Sequence, residues 1–339
     1  MRLPALTLLL LAACSEGASA PDAGLVPFVP PDADHPDVVA PPRVLASGLS
    51  SPRGIAWMGP DVVVADSAAG TIVRVPFPTG STSTLATSIG QPWNVATDGS
   101  AVYASERAAG RIVRVDSGGQ VTELATGQAK PGRVRVSGGT VYWVDEGASD
   151  GAGAVRSVPA AGGVTTDLAT GLSTPHDLWI ATGWVYVTLS GTTGQLVRLP
   201  LASTADAGPD DAGAEAGAPL VVVATPPVPP VGVIGDEGAG FVFYTTRDPA
   251  WPNGGNLYRA ALDGTGPVPL SYEAPNADAI ALTASHVFWS SNITVSRVSR
   301  DGGAYDNPAH ETSVADFVVA SDGTVVWTDP VHGAVEATP

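Results

Sequence analysis

The chain is short of cysteine, of positive charge and of long apolar runs, and each shortage removes a class of protein. A single cysteine, Cys14, excludes an intramolecular disulfide. Only 16 Lys and Arg stand against 33 Asp and Glu, a formal net charge of −17. A nucleic-acid backbone requires clustered basic side chains, so nucleic acid is not an expected partner. The same acidity favours solubility and makes cationic or neutral ligands easier to accommodate than anionic ones. After residue 14 no stretch supplies the roughly 20 uncharged apolar residues of a membrane span. Three motifs of catalysis are missing as well: Gly-x-Ser-x-Gly, His-Glu-x-x-His and a Gly-rich phosphate loop followed by Lys.

What the chain does have is a repeat, punctuated by turns that draw on 40 Gly and 31 Pro. Asp177 in the phrase PHDLWIAT has counterparts at Gly54, Asn94, Arg133, Gly232, Asp278 and Asp316, spaced by 40, 39, 44, 55, 46 and 38 residues. A unit of that length holding four short strands is the signature of a β-propeller blade. In the second copy WNVAT reads as the innermost strand, AVYASE as the next, RIVRV as the third and VTELA as the outer one. The copies begin near Pro52, Pro92, Pro131, Pro175, Pro230, Asn276 and Val314. The seventh copy stops without an outer strand, whereas RVLAS (Arg43–Ser47) resembles outer-strand phrases and has no inner strands before it. Joining the two leaves no unpaired edge.

The expected fold is therefore all-β. Residues 43–339 form a seven-bladed β-propeller of four-stranded antiparallel blades, closed by the N-terminal strand. Six blades is the alternative if one copy is degenerate; the last two copies lack the proline. Residues 203–219, rich in Ala, Asp and Gly, read as a disordered loop inserted between the third and outer strands of the fourth unit. Asp206, Asp210 and Asp211 lie close together there, but their spacing matches no calcium loop.

Arg2 followed by the apolar run Leu3 to Leu11 has the form of an export signal. The phrase Leu11-Ala12-Ala13-Cys14 resembles the lipobox of bacterial lipoproteins. That resemblance implies a signal peptide over 1–13, lipidation of Cys14, and a Pro-, Asp- and Ala-rich tether over 14–42. The competing cleavage site at Ala18-Ser19-Ala20 would leave Pro21 directly after the cut. Acyl chains contribute about 0.8 kcal/mol per buried methylene, so the implied partner is a lipid bilayer held through Cys14. Ser15 in place of Asp implies the outer membrane, facing the periplasm or the cell surface.

The phrases VYWVDE (Val141–Glu146), VFWSS (Val287–Ser291) and VVWTD (Val325–Asp329) resemble the Tyr-Trp-Thr-Asp (YWTD) propeller repeat. Together with PRGIAW and GTIVRV they are similar to the NHL and virginiamycin-B-lyase families, the last of which has seven blades. That lyase family implies a metal-assisted His and Glu constellation on one face. Here His35, His176, His286, His310 and His332 form no Glu-x-His phrase, so the activity is not carried over.

Aligned copies separate structural positions from variable ones. Arg74, Arg114, Arg156, Arg198, Arg259 and Arg297 share one third-strand position with Glu336, and their expected role is pairing or covering apolar surface. Second-strand aromatics such as Tyr103, Trp143, Tyr186 and Trp327 are expected in the core. Two rings on one face vary between copies. The lead-in ring is the set that aligns with Asp177, with Trp93 and His176 beside it. The exit ring, at the end of the second strand, holds Asp66, Glu106, Asp145, Leu189, Thr246, Ser291 and Asp329, with His332 nearby.

These rings predict an acidic, partly aromatic mouth. Its ligand-binding candidates are Trp93, Asn94, Arg133, His176, Asp177, Asp278, Asp316, Asp66, Glu106, Asp145 and Asp329. Such a mouth suits calcium, or a cationic or hydroxyl-rich small molecule held over Trp93. Against this, an exit-ring Asp can simply cap a turn by accepting from backbone N–H groups. The functional expectation is a non-catalytic binding or protein-interaction module without a resident cofactor. Its alternatives are a metal-assisted lyase or hydrolase and a purely structural envelope lipoprotein.

Overall fold

The computed structural model describes residues 41–78, 81–192, 194–201, 220–248, 254–272, 277–291, 293–309 and 313–339. The export signal, Cys14, almost all of the tether and the 203–219 insertion lie outside the described residues, as do His35 and His310.

Twenty-eight strands, β1 to β28 in chain order, form seven four-stranded antiparallel sheets. The first full blade runs from the channel outward as β2 (Pro52–Met58), β3 (Asp61–Asp66), β4 (Thr71–Pro76) and β5 (Ser83–Ala86). The other innermost strands are β6 (Pro92–Thr97), β10 (Pro131–Ser137), β14 (Pro175–Ala181), β18 (Pro230–Asp236), β22 (Ile280–Leu282) and β26 (Asp316–Val319). Five of the seven start on the repeat's proline, a residue that is tolerated as the first of a strand because it has no N–H to donate. The two without proline are also the shortest.

The seventh blade contains β26, β27 (Val325–Asp329) and β28 (Ala334–Ala337), and its outer strand is β1 (Arg43–Ala46). Arg43 pairs with Ala337 and Val44 with Glu336, so the first strand of the described chain completes its last sheet. The ring is therefore closed in the way the unmatched RVLAS phrase predicts.

The second strands are apolar nearly throughout because each is covered on both faces; DVVVAD of β3 is buried at every position. Seven apolar clusters result, one in each gap between neighbouring blades. The cluster across the closure joins Ile55, Val62 and Val75 of the first blade to Val326, Val335 and Leu45 of the seventh. Trp143, Trp289 and Trp327 each expose 1% or less of their surface, which places the second-strand aromatics in these gaps.

The third-strand arginines stand opposite those aromatics in register: Tyr103 with Arg114, Trp143 with Arg156, Tyr186 with Arg198 and Phe243 with Arg259. Arg156 pairs with Asp145 and Asp167, and Arg297 pairs with Asp306. Arg198 lies over Trp184 at 4.4 Å and Arg259 over Phe241 at 4.7 Å. These residues serve packing and pairing around the rim, spread by symmetry and not gathered at one place.

Candidate ligand site at the channel mouth

Five innermost strands carry a register shift just after their first proline, as between Pro52 and Ile55 and between Pro131 and Val134. A bulge re-aims the residues inside it, and here those are the lead-in residues and their predecessors. Their amides are held from below by a ring of buried hydroxyls. Ser105 accepts from Asn94, Thr188 from Asp177, Thr245 from Gly232 and Thr328 from Asp316. Thr188 also donates to Val231 O at 2.7 Å and Thr328 to Arg53 O at 2.6 Å, tying each blade to the next.

Lead-in side chains stitch neighbours in the same way. Asn94 Oδ1 accepts from Val134 N at 3.0 Å, and Asp177 Oδ2 from Val233 N at 3.2 Å. Gly54 cannot join them, because a Cβ there would stand 2.6 Å from the Asn94 Cα.

Across the channel axis three lead-in residues converge. Arg133 Nη1 donates to Asp316 Oδ2 at 2.7 Å, and Asn94 Nδ2 donates to the same oxygen at 3.2 Å. Asp177 lies beneath, 1% exposed, accepting from Arg135 Nη2 at 3.0 Å. Asn94, Arg133 and Asp316 line both the mouth and the wider cavity at the opposite end of the channel. They form a plug. On its far side the channel is mainly apolar, walled by Trp57, Val136, Ile234 and Val319. On its near side lies a basin of about 240 Å³.

The wall of the basin comes from three repeat positions: the lead-in residue, the one before it and the one after the exit residue. The first supplies Asn94, Arg133 and Asp316; the second supplies Arg53, Trp93, His176 and Asp278; the third supplies Arg107, Glu146 and Arg247. Sequence alignment sets Asp278 beside Asp177, but Ala279 takes that place, its N–H donating to Ser290 Oγ at 3.0 Å. The sixth inner strand has neither the proline nor the bulge that fixes the register of the first five. Sequence alignment named the lead-in set and missed Arg53, Arg107, Glu146 and Arg247. Reading one position to either side of the aligned rings would have found them.

The exit carboxylates point elsewhere. Asp66 accepts from Ser50 N and Ser51 N at 2.8 and 2.7 Å, and Asp145 from Ala129 N and Lys130 N at 3.0 and 2.7 Å. Glu106 accepts from Gly90 N at 2.9 Å, and Asp329 from Val331 N and His332 N at 2.9 Å. All four are 3% exposed or less. Each closes the loop at its own strand end, the capping role that a carboxylate fills by satisfying adjacent amides. His332 is drawn to Asp329, its Nδ1 at 2.6 Å from Oδ2, and this bond raises the imidazole above its usual 6.5.

The expectation of an acidic mouth is therefore corrected. Four arginines face three carboxylates around the basin. The physical reason is strand alternation: the exit residue turns into the blade, and the residue after it turns toward the axis. Trp93 is not open to an incoming cation either. Arg53 and Arg107 already lie over its ring, at 4.5 and 4.6 Å from the centroid.

The charges in the basin are uneven. Burial works against the Arg133 charge, but Asp316, Asp177 and Asp278 outweigh it and hold the guanidinium protonated more firmly than usual. Burial pushes the Asp316 carboxyl up despite Arg133. For Asp278 burial acts in the same direction, yet His176, Arg133 and Arg247 overcome it and lower the carboxyl. His176 Nε2 is 3.5 Å and Arg247 Nη2 is 3.6 Å from Asp278 Oδ1. Glu146, also opposed by burial, is lowered by Arg107 and Lys130, at 2.5 and 2.9 Å. Among the described residues no three His, Cys, Asp or Glu side chains converge to hold a metal ion.

No family model and no curated protein matches the chain. Among solved structures it is similar to virginiamycin B lyase from Staphylococcus aureus, with a TM-score of 0.67 at 12% identity over 88% of this chain and 97% of that one. It is equally similar to the WD40 β-propeller domain of Doa1, at 0.67 and 11% identity over 88% and 96%. A gluconolactonase from Xanthomonas campestris gives 0.55 at 14% identity over 92% and 97%. At such identities the likeness is one of fold. The chain is a seven-bladed all-β propeller whose neighbours include the virginiamycin-B-lyase structures its repeats resemble.

Proposed function

We propose that this protein is a lipid-anchored, extracytoplasmic propeller that binds a small ligand at the channel mouth without transforming it. One observation carries the reading. In a ring built from similar units, the basin above the Asn94–Arg133–Asp316 plug is walled by side chains that differ from blade to blade. Positions serving only the fold repeat around the ring, as the hydroxyls and third-strand arginines do; positions serving one ligand need not. The size of the basin, about 240 Å³, suits a small molecule and not a protein chain. The anchoring part of the proposal rests on the Leu11–Cys14 phrase.

A metal-assisted lyase or hydrolase is the second reading, favoured by one feature. Asp316 and Asp278 share the basin with carboxyl pKa values displaced in opposite directions, an arrangement that separates acid from base. The basin's excess of guanidinium groups, and its lack of converging ligands among the described residues, weigh against a resident cation.

The test is a thermal-shift screen of the purified protein against small molecules, followed by mass spectrometry of each hit after prolonged incubation. Binding that Trp93→Ala abolishes, with the ligand recovered unchanged, is the expected result. Turnover of the hit, or binding indifferent to Trp93, would overturn the reading. For the anchor, Cys14→Ser should release the protein from the membrane fraction.

A further inference from the structure

Every guanidinium near the plug except one has a carboxylate within 4 Å. Arg107 has Glu146, Arg133 has Asp316, Arg135 has Asp177 and Arg247 has Asp278. Arg53 pairs with no carboxylate among the described residues; its contact is the face of Trp93 at 4.5 Å. Its Nε–H is buried and has no acceptor, and the Nε–H of Arg247 is in the same position. Both residues line the basin. Leaving a charged donor buried and unsatisfied is costly, and a native structure that contains two such donors at one cavity is short of an acceptor there.

The Asp278 carboxylate does not remove the shortage. It is already shared between His176 and Arg247, at the long distances of 3.5 and 3.6 Å. Asp316 accepts from Arg133, Asn94 and the Phe317 amide, and Glu146 from Arg107 and Lys130. The basin's carboxylates therefore already face cations, whereas the Nε–H donors of Arg53 and Arg247 have no acceptor.

We infer that the ligand of the channel mouth carries an oxyanion, a carboxylate or a phosphate, received by Arg53 and Arg247. This inference deepens the binding-module reading and rests on it. The fork of a guanidinium matches the two oxygens of either group. Trp93 keeps the Arg53 side chain fixed without neutralising it, so the fork is ordered before the ligand arrives. An anion site in a chain of net charge −17 is a local inversion of sign. Its excess of guanidinium groups over carboxylates also disfavours cations.

The experiment is calorimetric titration of the full-length protein with benzoate, glucuronate and inorganic phosphate, with glucose and spermidine as neutral and cationic controls. Saturable binding of at least one oxyanion at millimolar concentration is expected, weakening as sodium chloride is raised. Arg53→Gln and Arg247→Gln should each weaken it about tenfold or more. Arg259→Gln, a rim arginine over Phe241, should leave it unchanged, and circular dichroism should show all three variants folded. Preference among the three anions separates carboxylate from phosphate. If glucose or spermidine binds in a Trp93-dependent manner and no oxyanion does, the oxyanion inference falls and the binding-module reading stands. If none of the five probes binds, or oxyanions bind equally to both variants, the inference is overturned.

Discussion

Arg133 in the third blade reaches Asp316 in the seventh across the channel axis, with Nη1 and Oδ2 2.7 Å apart and the two residues 183 positions apart in sequence. The pair is nearly sealed from solvent, at 13% and 8% side-chain exposure. Removing one member of a buried pair leaves the other charge uncompensated, at a cost of about 3–5 kcal/mol. Arg133→Ala should therefore lower the unfolding free energy by that amount, read as a lower denaturant midpoint at an unchanged slope. Asp316→Asn should cost a comparable amount, because its single amide oxygen can replace Oδ1, which accepts from Phe317 N, or Oδ2, which accepts from Arg133 and Asn94, but not both.

Gly54 is the lead-in residue that a neighbour forbids to grow. An added Cβ would meet the Asn94 Cα at 2.6 Å and the Val95 nitrogen at 2.8 Å, both of them backbone atoms that cannot swing aside. Gly54→Ala is expected to destabilise the protein by about 1–3 kcal/mol and to broaden the amide signals of Asn94 and Val95. Retention of full stability would show that the contact between β2 and β6 is looser than this.

Asp98 offers a pH handle away from the channel. Its carboxylate accepts from Ser100 N, Ala101 N and the Tyr103 hydroxyl at 2.8, 2.9 and 2.7 Å. Burial opposes ionisation, but these bonds prevail and lower the carboxyl from 3.8 to about 2. A depressed carboxyl contributes its stability in full above 3.8 and loses it as the pH falls toward 2. The group is mostly exposed, so screening leaves about 1 kcal/mol for Asp98→Ala at neutral pH. Thermal melts of both proteins should converge between pH 4 and pH 2 if the linkage is as described.

Closure of the ring depends on four residues. Leu45 of β1 is 5% exposed and packs in the gap between the seventh and first blades. Leu45→Ala should cost about 2–5 kcal/mol, as cavity-forming changes of that kind do. Deleting residues 43–46 would bare the edge of β28, and gel filtration should then report self-association through that edge.

The fold was largely legible because a propeller is written into sequence several times over. Seven imperfect copies average out local ambiguity, and the orphan phrase at Arg43–Ser47 matched the missing strand of the final copy. The weak sixth and seventh starts proved to be real blades with inner strands of three and four residues. They were weak because they lack the proline and bulge that sharpen the other five. The candidate site was legible only in part. The lead-in ring was found because it varies between copies. Arg53, Arg107 and Arg247 were passed over because they sit one residue from the aligned positions, and period-two alternation makes that single step decisive.

What the sequence determined alone was the order of strands within each repeat and the pairing of first with last, since these follow from repeat length and apolar pattern. The two weak copies left six blades open, and the structure decides for seven. The sign of charge at the channel mouth was decided only in three dimensions. A carboxylate in a row of residues carries no label for whether it will meet an amide or a cavity. Burial of the exit ring against its own loops removed four acids from the mouth, and the arginines one position away filled it.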